Sequence, residues 1–362
     1  MNGKMKAIVY YGRNDIRLDE MDIPQIGPKD VLLKSKYASI CGSDIHAVRK
    51  GPQWAKAEHQ IFGHEYAATV AEIGSEVTKY KVGDRVFGVN MAFCGECYYC
   101  KHGDYAHCIG IGKHYTGQGI PGAFAQYFKF SDPENEHSFA PYLNSLMVIP
   151  DKLTDEQCAM MEPFGVGLGA VEKAGVKEGD TVLIMGAGII GISAAQWCKA
   201  KGAKVIVVSR GRHRLEIAKR CGADHIISTL DGDCYDQVAA ITQETGWYWG
   251  KETTTVDIVI DCAGYPGSFN DALKIIKPGG CICLAALYEE MSMANPQFIA
   301  NKEPVIIGST DNNLIDAMNG ILAGTVDVEP LLDGIVGIND FKQAFERQMD
   351  GSACKVLIDM TK

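Results

Sequence analysis

Positive charge is what this chain is short of. It carries 45 acidic against 35 basic residues, a net charge of −10 and a pI near 5.4. A phosphate backbone needs a basic face to bind to, so a nucleic-acid partner is excluded. Long apolar runs are also missing. The longest uncharged stretch lies between Asp180 and Lys199 and is broken by Gly186, Gly188, Gly191, Ser193 and Gln196, which suits a buried strand, turn and helix better than a membrane span. Residues 1–10 alternate apolar and polar side chains and lack the apolar core of a signal peptide, so a cytoplasmic location is expected. These absences leave a small molecule as the natural partner, with no nucleic acid and no membrane.

What is present is a core and many thiols. At 362 residues and 46% hydrophobic, the chain is long enough for two domains. Thirteen cysteines without a secretory signal point to metal binding or inert burial rather than a disulfide framework. Residues 6–10, 31–39, 66–73 and 85–89 read as short strands between turns, a β-rich antiparallel half. From about Gly165 apolar strands alternate with helical segments: 181–185, 205–208, 225–227, 256–261, 280–285 and 305–308. That alternation predicts a parallel, doubly wound sheet. A helix at 340–349 and a last strand at 355–360 have no further helix after them, so the strand is expected to rejoin the first half. The expected domains are 1–164 with 311–362, and 165–310.

Gly186, Gly188 and Gly191 form GxGxxG directly after a strand and at the start of a helix. The glycines allow a tight turn and close approach to a pyrophosphate, while the helix start around Ile189 and Ile190 offers amide donors and a positive dipole end. A dinucleotide is the expected cofactor. About 20 residues on, where an acidic residue usually holds the ribose of NAD, this chain has Ser209 and Arg210. Seven Lys or Arg against one Glu between Lys201 and Arg220 give a local balance of +6. A serine hydroxyl and an arginine fork suit a 2′-phosphate, so NADP is favoured over NAD. Arg214 is a further candidate contact, with a solvated helix face as the plainer reading of Arg212, Arg214 and Arg220.

Cys94, Cys97, Cys100 and Cys108 stand in the pattern CxxCxxCx7C. Four thiolates so close can close a tetrahedron around Zn²⁺ that leaves no position for chemistry, a structural site. A second, dispersed set comprises Cys41, His64, Glu65 and Glu162. One thiolate, one imidazole and one or two carboxylates leave a position for substrate, as a catalytic zinc requires. Taken singly, each of these residues could equally be an ordinary core side chain.

Together, SICGSDIH around Cys41, GHE at His64 and Glu65, the four-cysteine loop, MEPFGVG at Glu162 and GAGIIG stand in the order and approximate spacing of the zinc-containing medium-chain dehydrogenase/reductase family. The chain resembles that family over essentially its whole length, and most resembles the branch of sorbitol, threonine and butanediol dehydrogenases. The resemblance implies a β-rich GroES-like catalytic domain, a Rossmann α/β domain, and an active cleft between them. Carried over by position, Cys41 and His64 match zinc ligands, Glu65 an adjacent glutamate that binds zinc directly or retreats, and Glu162 the last ligand position, held directly or through water. Ser43 and His46 match the family's proton relay, in which serine passes the alcohol proton through the cofactor ribose to histidine. Two zinc ions per chain and a homo-oligomer, dimer or tetramer, are also implied.

The expected function is hydride transfer between NADP(H) and a secondary alcohol or ketone, with a zinc-dependent polyol, diol or threonine-type dehydrogenase using NAD as the alternative. A zinc-free reductase of the same superfamily would lack the cysteine loop, Cys41 and His64. A non-catalytic binding role would keep the fold and lose the relay. The polyol enzymes carry an Arg-Tyr pair where this chain has Asp311 and Asn312, which argues against sorbitol-like substrates. Segments 131–145 and 247–254 look longer than the family norm, and Trp54, Phe93 and Phe124 are candidate pocket walls.

Overall fold

Dense β-branched and aromatic residues between turns give the first 150 residues their strands. The computed structural model describes residues 2–51, 59–90, 93–110, 115–131, 134, 144–242, 246–248, 251–288 and 290–362. In chain order the early elements are β1 (Lys4–Gly12), β2 (Asp15–Asp22), β3 (Val31–Ser39), α1 (Gly42–Lys50), β4 (Gln60–Ile61), β5 (Glu65–Ile73), β6 (Arg85–Asn90), α2 (Tyr98–Lys101), β7 (Tyr127–Phe130), β8 (Asn144–Val148) and α3 (Asp155–Ala159). They continue with α4 (Met161–Lys173), β9 (Thr181–Met185), α5 (Ile189–Ala200), β10 (Lys204–Ser209), α6 (Arg212–Arg220), β11 (His225–Ser228) and α7 (Cys234–Thr242). A short hairpin, β12 (Gly246–Tyr248) with β13 (Lys251–Thr253), precedes β14 (Val256–Asp261), α8 (Ser268–Ile275), β15 (Ile276–Leu284), α9 (Pro296–Lys302), β16 (Val305–Gly308) and α10 (Leu314–Leu322). The chain closes with β17 (Leu332–Gly337), α11 (Phe341–Met349) and β18 (Lys355–Asp359).

The chain divides into two units. The first comprises 1–162, 333–350 and 355–362, the second 163–332 and 351–354. The first unit is a β-rich GroES-like fold, in which β1 pairs antiparallel with β2 and β4, and a larger sheet runs β17-β18-β3-β5-β6-β8, antiparallel from β18 to β8, with β7 also antiparallel on β3. The last strand pairs with β3 through Leu357 and Ser39. Val31, Leu32, Leu33, Phe128 and Phe130 fill its interior.

The second unit is the Rossmann fold, a parallel sheet in the order β11-β10-β9-β14-β15-β16. Its strands carry Leu183, Ile206, Val259 and Ile282 into a core sealed by Val238, Leu273 and Phe298. The second unit begins two residues earlier than expected and extends to Leu332, so segment 311–332 lies here and not with the first unit. The cause is local packing. The Gln196 amide exchanges two hydrogen bonds of 2.7 Å with the Asp327 backbone, and the Trp197 ring presses against Gly320, where an added Cβ would stand 2.2 Å from it. Among the described residues no helix is long and apolar enough to cross a membrane.

Candidate metal centres and nucleotide pocket

Cys41 ends the approach to α1 as its N-cap residue. Its N–H donates to the Asp44 carboxylate at 2.9 Å, which fixes the sulfur's backbone, and burial pushes the Asp44 carboxyl up. Asp44 also faces His64 Nδ1 at 3.9 Å. Gly63, in the left-handed region at φ +94°, turns the chain between β4 and β5 and delivers His64 and Glu65 to the same place. One ligand atom each of Cys41, His64 and Glu65 lies within 4.8 Å of the others.

The electrostatics of this trio suit a cation. Burial alone would lower the His64 pKa, yet charge and hydrogen bonding from Cys41, with the charges of Asp44 and Glu162, hold it well above its usual value. Burial likewise opposes charge on Glu65, but Lys355 and His64 hold its carboxyl below the usual range. Glu65 Oε2 accepts from Lys355 Nζ at 2.5 Å, whereas buried Oε1 has no hydrogen-bond partner among the described residues. A sulfur, an imidazole and an orphaned carboxylate oxygen are a fitting donor set for zinc. Glu162, in the first turn of α4, is buried and close enough to act on His64 by its charge, but it stands outside the close trio.

The four expected cysteines of the loop also come together. Sulfur separations are 3.5 Å for Cys97–Cys100, 3.6 Å for Cys94–Cys108 and 4.0 Å for Cys94–Cys100. Four sulfurs at ~2.3 Å from a tetrahedral zinc stand ~3.8 Å apart, so the spacing fits. Backbone N–H groups of Cys100 and Ile109 lower the Cys97 thiol to about 6, and the N–H of Gly110 points at Cys108 Sγ from 3.3 Å. The loop therefore favours negative sulfur at Cys97, while burial pushes the Cys100 thiol up to about 12.

Ser43 and His46 both lie on α1, three residues apart and hence on one face. Ser43 is half-buried and His46 buried. Of the aromatic candidates, Phe124 is 1% exposed and edge-on to Phe345, a core position; Phe93 stacks on Tyr105 at 4.4 Å; Trp54 lies outside the described residues. Most of 131–145 does too, while 247–254 contains the β12–β13 hairpin. Asp311 pairs with Lys173 at 3.3 Å, and Asn312 is buried.

The glycine motif opens a pocket of about 650 Å³ in the second unit, lined by Gly186, Gly188, Ser209, Arg210, Arg214 and Thr229 among others. Gly186 has φ +100°, and an added Cβ on Gly191 would stand 1.9 Å from the Gly186 carbonyl oxygen. Only glycine lets α5 begin that close to the turn. Gly188 is the N-cap of α5, Ile189 is buried and Ile190 half-buried in its first turn. Arg210 is exposed at the end of β10. Arg214 donates from Nε and Nη2 to the Ala353 carbonyl at 3.0 and 2.7 Å, so part of its fork holds the fold. Arg212 takes the surface role, pairing with Asp231 at 2.5 Å.

Three residues of the metal region were not found from sequence: Asp44, Lys355 and Tyr115, whose ring centroid lies 5.3 Å from that of His64. Asp44 had a local signal, its place three residues after Cys41 at a helix start. Lys355 is 290 positions from Glu65, and nothing local marks it.

A Rossmann unit with a nucleotide pocket, joined in one chain to a GroES-like unit with two clusters of metal-ligating side chains, defines a nicotinamide-dependent metal dehydrogenase as the class. Residues 27–137 match the alcohol dehydrogenase GroES-like domain and 190–323 the zinc-binding dehydrogenase domain. Sorbitol dehydrogenase of Bacillus subtilis is 32% identical, over 98% of this chain and 97% of its own. The chain belongs to the zinc-containing medium-chain dehydrogenase/reductase family, and is an oxidoreductase of its alcohol dehydrogenase type. Among solved structures, a zinc-binding dehydrogenase from Sinorhizobium meliloti bound to NADP is similar at TM-score 0.84 and 26% identity, covering 99% of both chains. An Escherichia coli alcohol dehydrogenase complexed with NADH is similar at TM-score 0.84 and 27% identity, covering 98% of this chain and 99% of that one.

Proposed function

We propose that this chain oxidises a secondary alcohol to its ketone, or reduces the ketone, with NADP(H) as hydride carrier and two zinc ions per chain. The observation that carries the reading is the convergence of Cys41, His64 and Glu65 within 4.8 Å. Cys41, His64 and a glutamate, Glu65 or Glu162, would hold the catalytic zinc, and the four-cysteine loop the structural one. Bound there, zinc supplies a Lewis acid that lowers a hydroxyl pKa from ~16 towards ~7. Ser43 accepts the alcohol proton and His46, on the same helix face, passes it on towards solvent. Asp44 keeps Cys41 and His64 in position, as carboxylates beside metal-ligating histidines do.

On the nucleotide side, the helix start at Gly188, Ile189 and Ile190 takes the pyrophosphate, and Ser209 with Arg210 takes the 2′-phosphate. The NADH-bound relative favours a second reading, an NAD-dependent polyol, diol or threonine-type enzyme. A panel of secondary alcohols and diols, run with both cofactors before and after chelation, tests all of this. We expect activity that depends on zinc and a higher kcat/KM with NADP. Full activity after the metal is stripped refutes the zinc reading, and a clear preference for NAD refutes the cofactor assignment.

A further inference from the structure

One wall of the nucleotide pocket is the loop that follows β14, residues 262–267, of which Cys262, Ala263 and Tyr265 line the cavity. The wall is pressed from two sides. A Cβ added to Gly186, in the turn before α5, would stand 3.0 Å from the Ala263 nitrogen, and one added to Gly264, at φ +64°, would stand 2.8 Å from the Leu287 carbonyl oxygen. Such contacts mean that backbones touch where only glycine fits. Hydrogen bonds follow the same path: the Cys262 N–H donates to the Met185 carbonyl at 2.8 Å and the Ala285 N–H to the Asp261 carbonyl at 2.9 Å. The segment after β15, residues 285–288, therefore backs the loop that lines the pocket.

Behind this wall sits Asp261, the last residue of β14, which is 0% exposed. Its carboxylate accepts four hydrogen bonds. Oδ1 takes the N–H groups of Ala263 at 2.9 Å and Gly264 at 3.1 Å, which shapes the loop itself. Oδ2 takes the hydroxyl of Ser268, at the start of α8, at 2.5 Å and that of Tyr288, in the segment after β15, at 2.6 Å. Burial, and then the bond to Asp261, push the Tyr288 phenol above its usual value, so the hydroxyl keeps its proton and stays a donor. The turn at Ala263 and Gly264 needs Oδ1 alone. A carboxylate taken out of water is costly unless it is hydrogen-bonded, and here the bonds of its second oxygen join two further segments to the pocket wall.

We infer that Asp261 is a positioning residue for the nicotinamide nucleotide: with Tyr288 it locks the segment after β15 against the loop 262–267, so that the pocket wall holds its binding shape before the nucleotide arrives. The inference rests on the dehydrogenase reading above. A preformed wall binds without an ordering cost, and a wall that holds its shape for only part of the time binds more weakly in proportion. The test uses zinc-loaded wild type, Tyr288→Phe, Asp261→Asn and the double variant. Tyr288→Phe removes one hydroxyl and leaves the turn; Asp261→Asn keeps an acceptor for the two amides. The readings are the Kd of NADP and of NAD by fluorescence titration, the nucleotide KM and kcat with a secondary alcohol, zinc content and the melting midpoint. Each single variant should raise the nucleotide Kd and KM about tenfold, while kcat at saturating nucleotide and zinc content hold. The double variant should bind no more weakly than Asp261→Asn alone, because both changes break the same bond. A wild-type Kd in Tyr288→Phe, whatever its melting midpoint, overturns the assignment and leaves the dehydrogenase reading standing, and so do losses that simply multiply in the double variant. Should Asp261→Asn fail to fold, Tyr288→Phe decides alone. If the wild type binds neither nucleotide, both readings fall.

Discussion

Lys355 and Glu65 are 2% and 0% exposed and form an ion pair inside the first unit. Lys355 Nζ also donates to the Ile40 carbonyl at 2.6 Å, so one ammonium ties the last strand to the segment that carries Cys41 and to a candidate zinc ligand. Removing one partner of a buried pair leaves an uncompensated charge, which costs roughly 3–5 kcal/mol. Lys355→Met should therefore lower the thermal unfolding midpoint sharply, and Glu65→Gln on top of it should recover much of the loss. A single variant that melts like wild type refutes this. Ser43 poses a different question, because its hydroxyl is assigned to proton transfer and not to metal binding or folding. Ser43→Ala should lower kcat by about a hundredfold or more, the usual scale of general acid–base catalysis, with zinc content and melting unchanged. Unaltered turnover removes Ser43 from the relay.

At the scale of elements, the β9–α5 turn is the tightest piece of the nucleotide pocket. Gly191→Ala would set a Cβ against the Gly186 carbonyl oxygen at 1.9 Å, forcing α5 away from β9. Overpacking of this kind costs roughly 1–3 kcal/mol, and nucleotide affinity by fluorescence titration should fall about tenfold; wild-type affinity would show that the helix does not need this approach. This turn was legible because its whole logic lies within a few residues: strand, three glycines, helix. The same holds for the four-cysteine loop and for β9, β14 and β16. β15 was read too short at its start, since Pro278, Gly279 and Gly280 look like a turn; they form an irregularity between the pairs Val256–Ile276 and Ile258–Cys281, and the strand runs through it. Segment 311–332 was assigned to the wrong unit for a related reason: the hydrogen bonds of Gln196 and the packing of Trp197 that retain it are long-range contacts with no local mark. Around the metal, ligand identities were visible in short motifs, while Lys355 and Tyr115, which reach the site from distant or loop positions, were not.

At the scale of the whole molecule, the six-stranded sheet has two unlike ends. At one end β11 keeps Ile227 and Ser228 buried. At the other, β16 pairs with β15 and with no further strand among the described residues, and its Val305 and Ile306 are 56% and 38% exposed. An open edge offers unpaired N–H and C=O groups, and natural sheets blunt such edges with lysine, inward charge or proline within the strand. The sequence of β16, VIIG, has none of these. Antiparallel pairing of β16 with the same strand of a second copy would satisfy the edge and cover both side chains, and such a two-fold contact is self-complementary. The protein is therefore expected to sediment as a dimer or a multiple of one at micromolar concentration. Ile306→Lys, which places a charge in the middle of the edge, should shift the distribution towards the monomer while leaving zinc content and nucleotide affinity in place. A wild type that sediments as a monomer, or an Ile306→Lys variant whose association is undiminished, would show that this edge is not where copies of the chain meet.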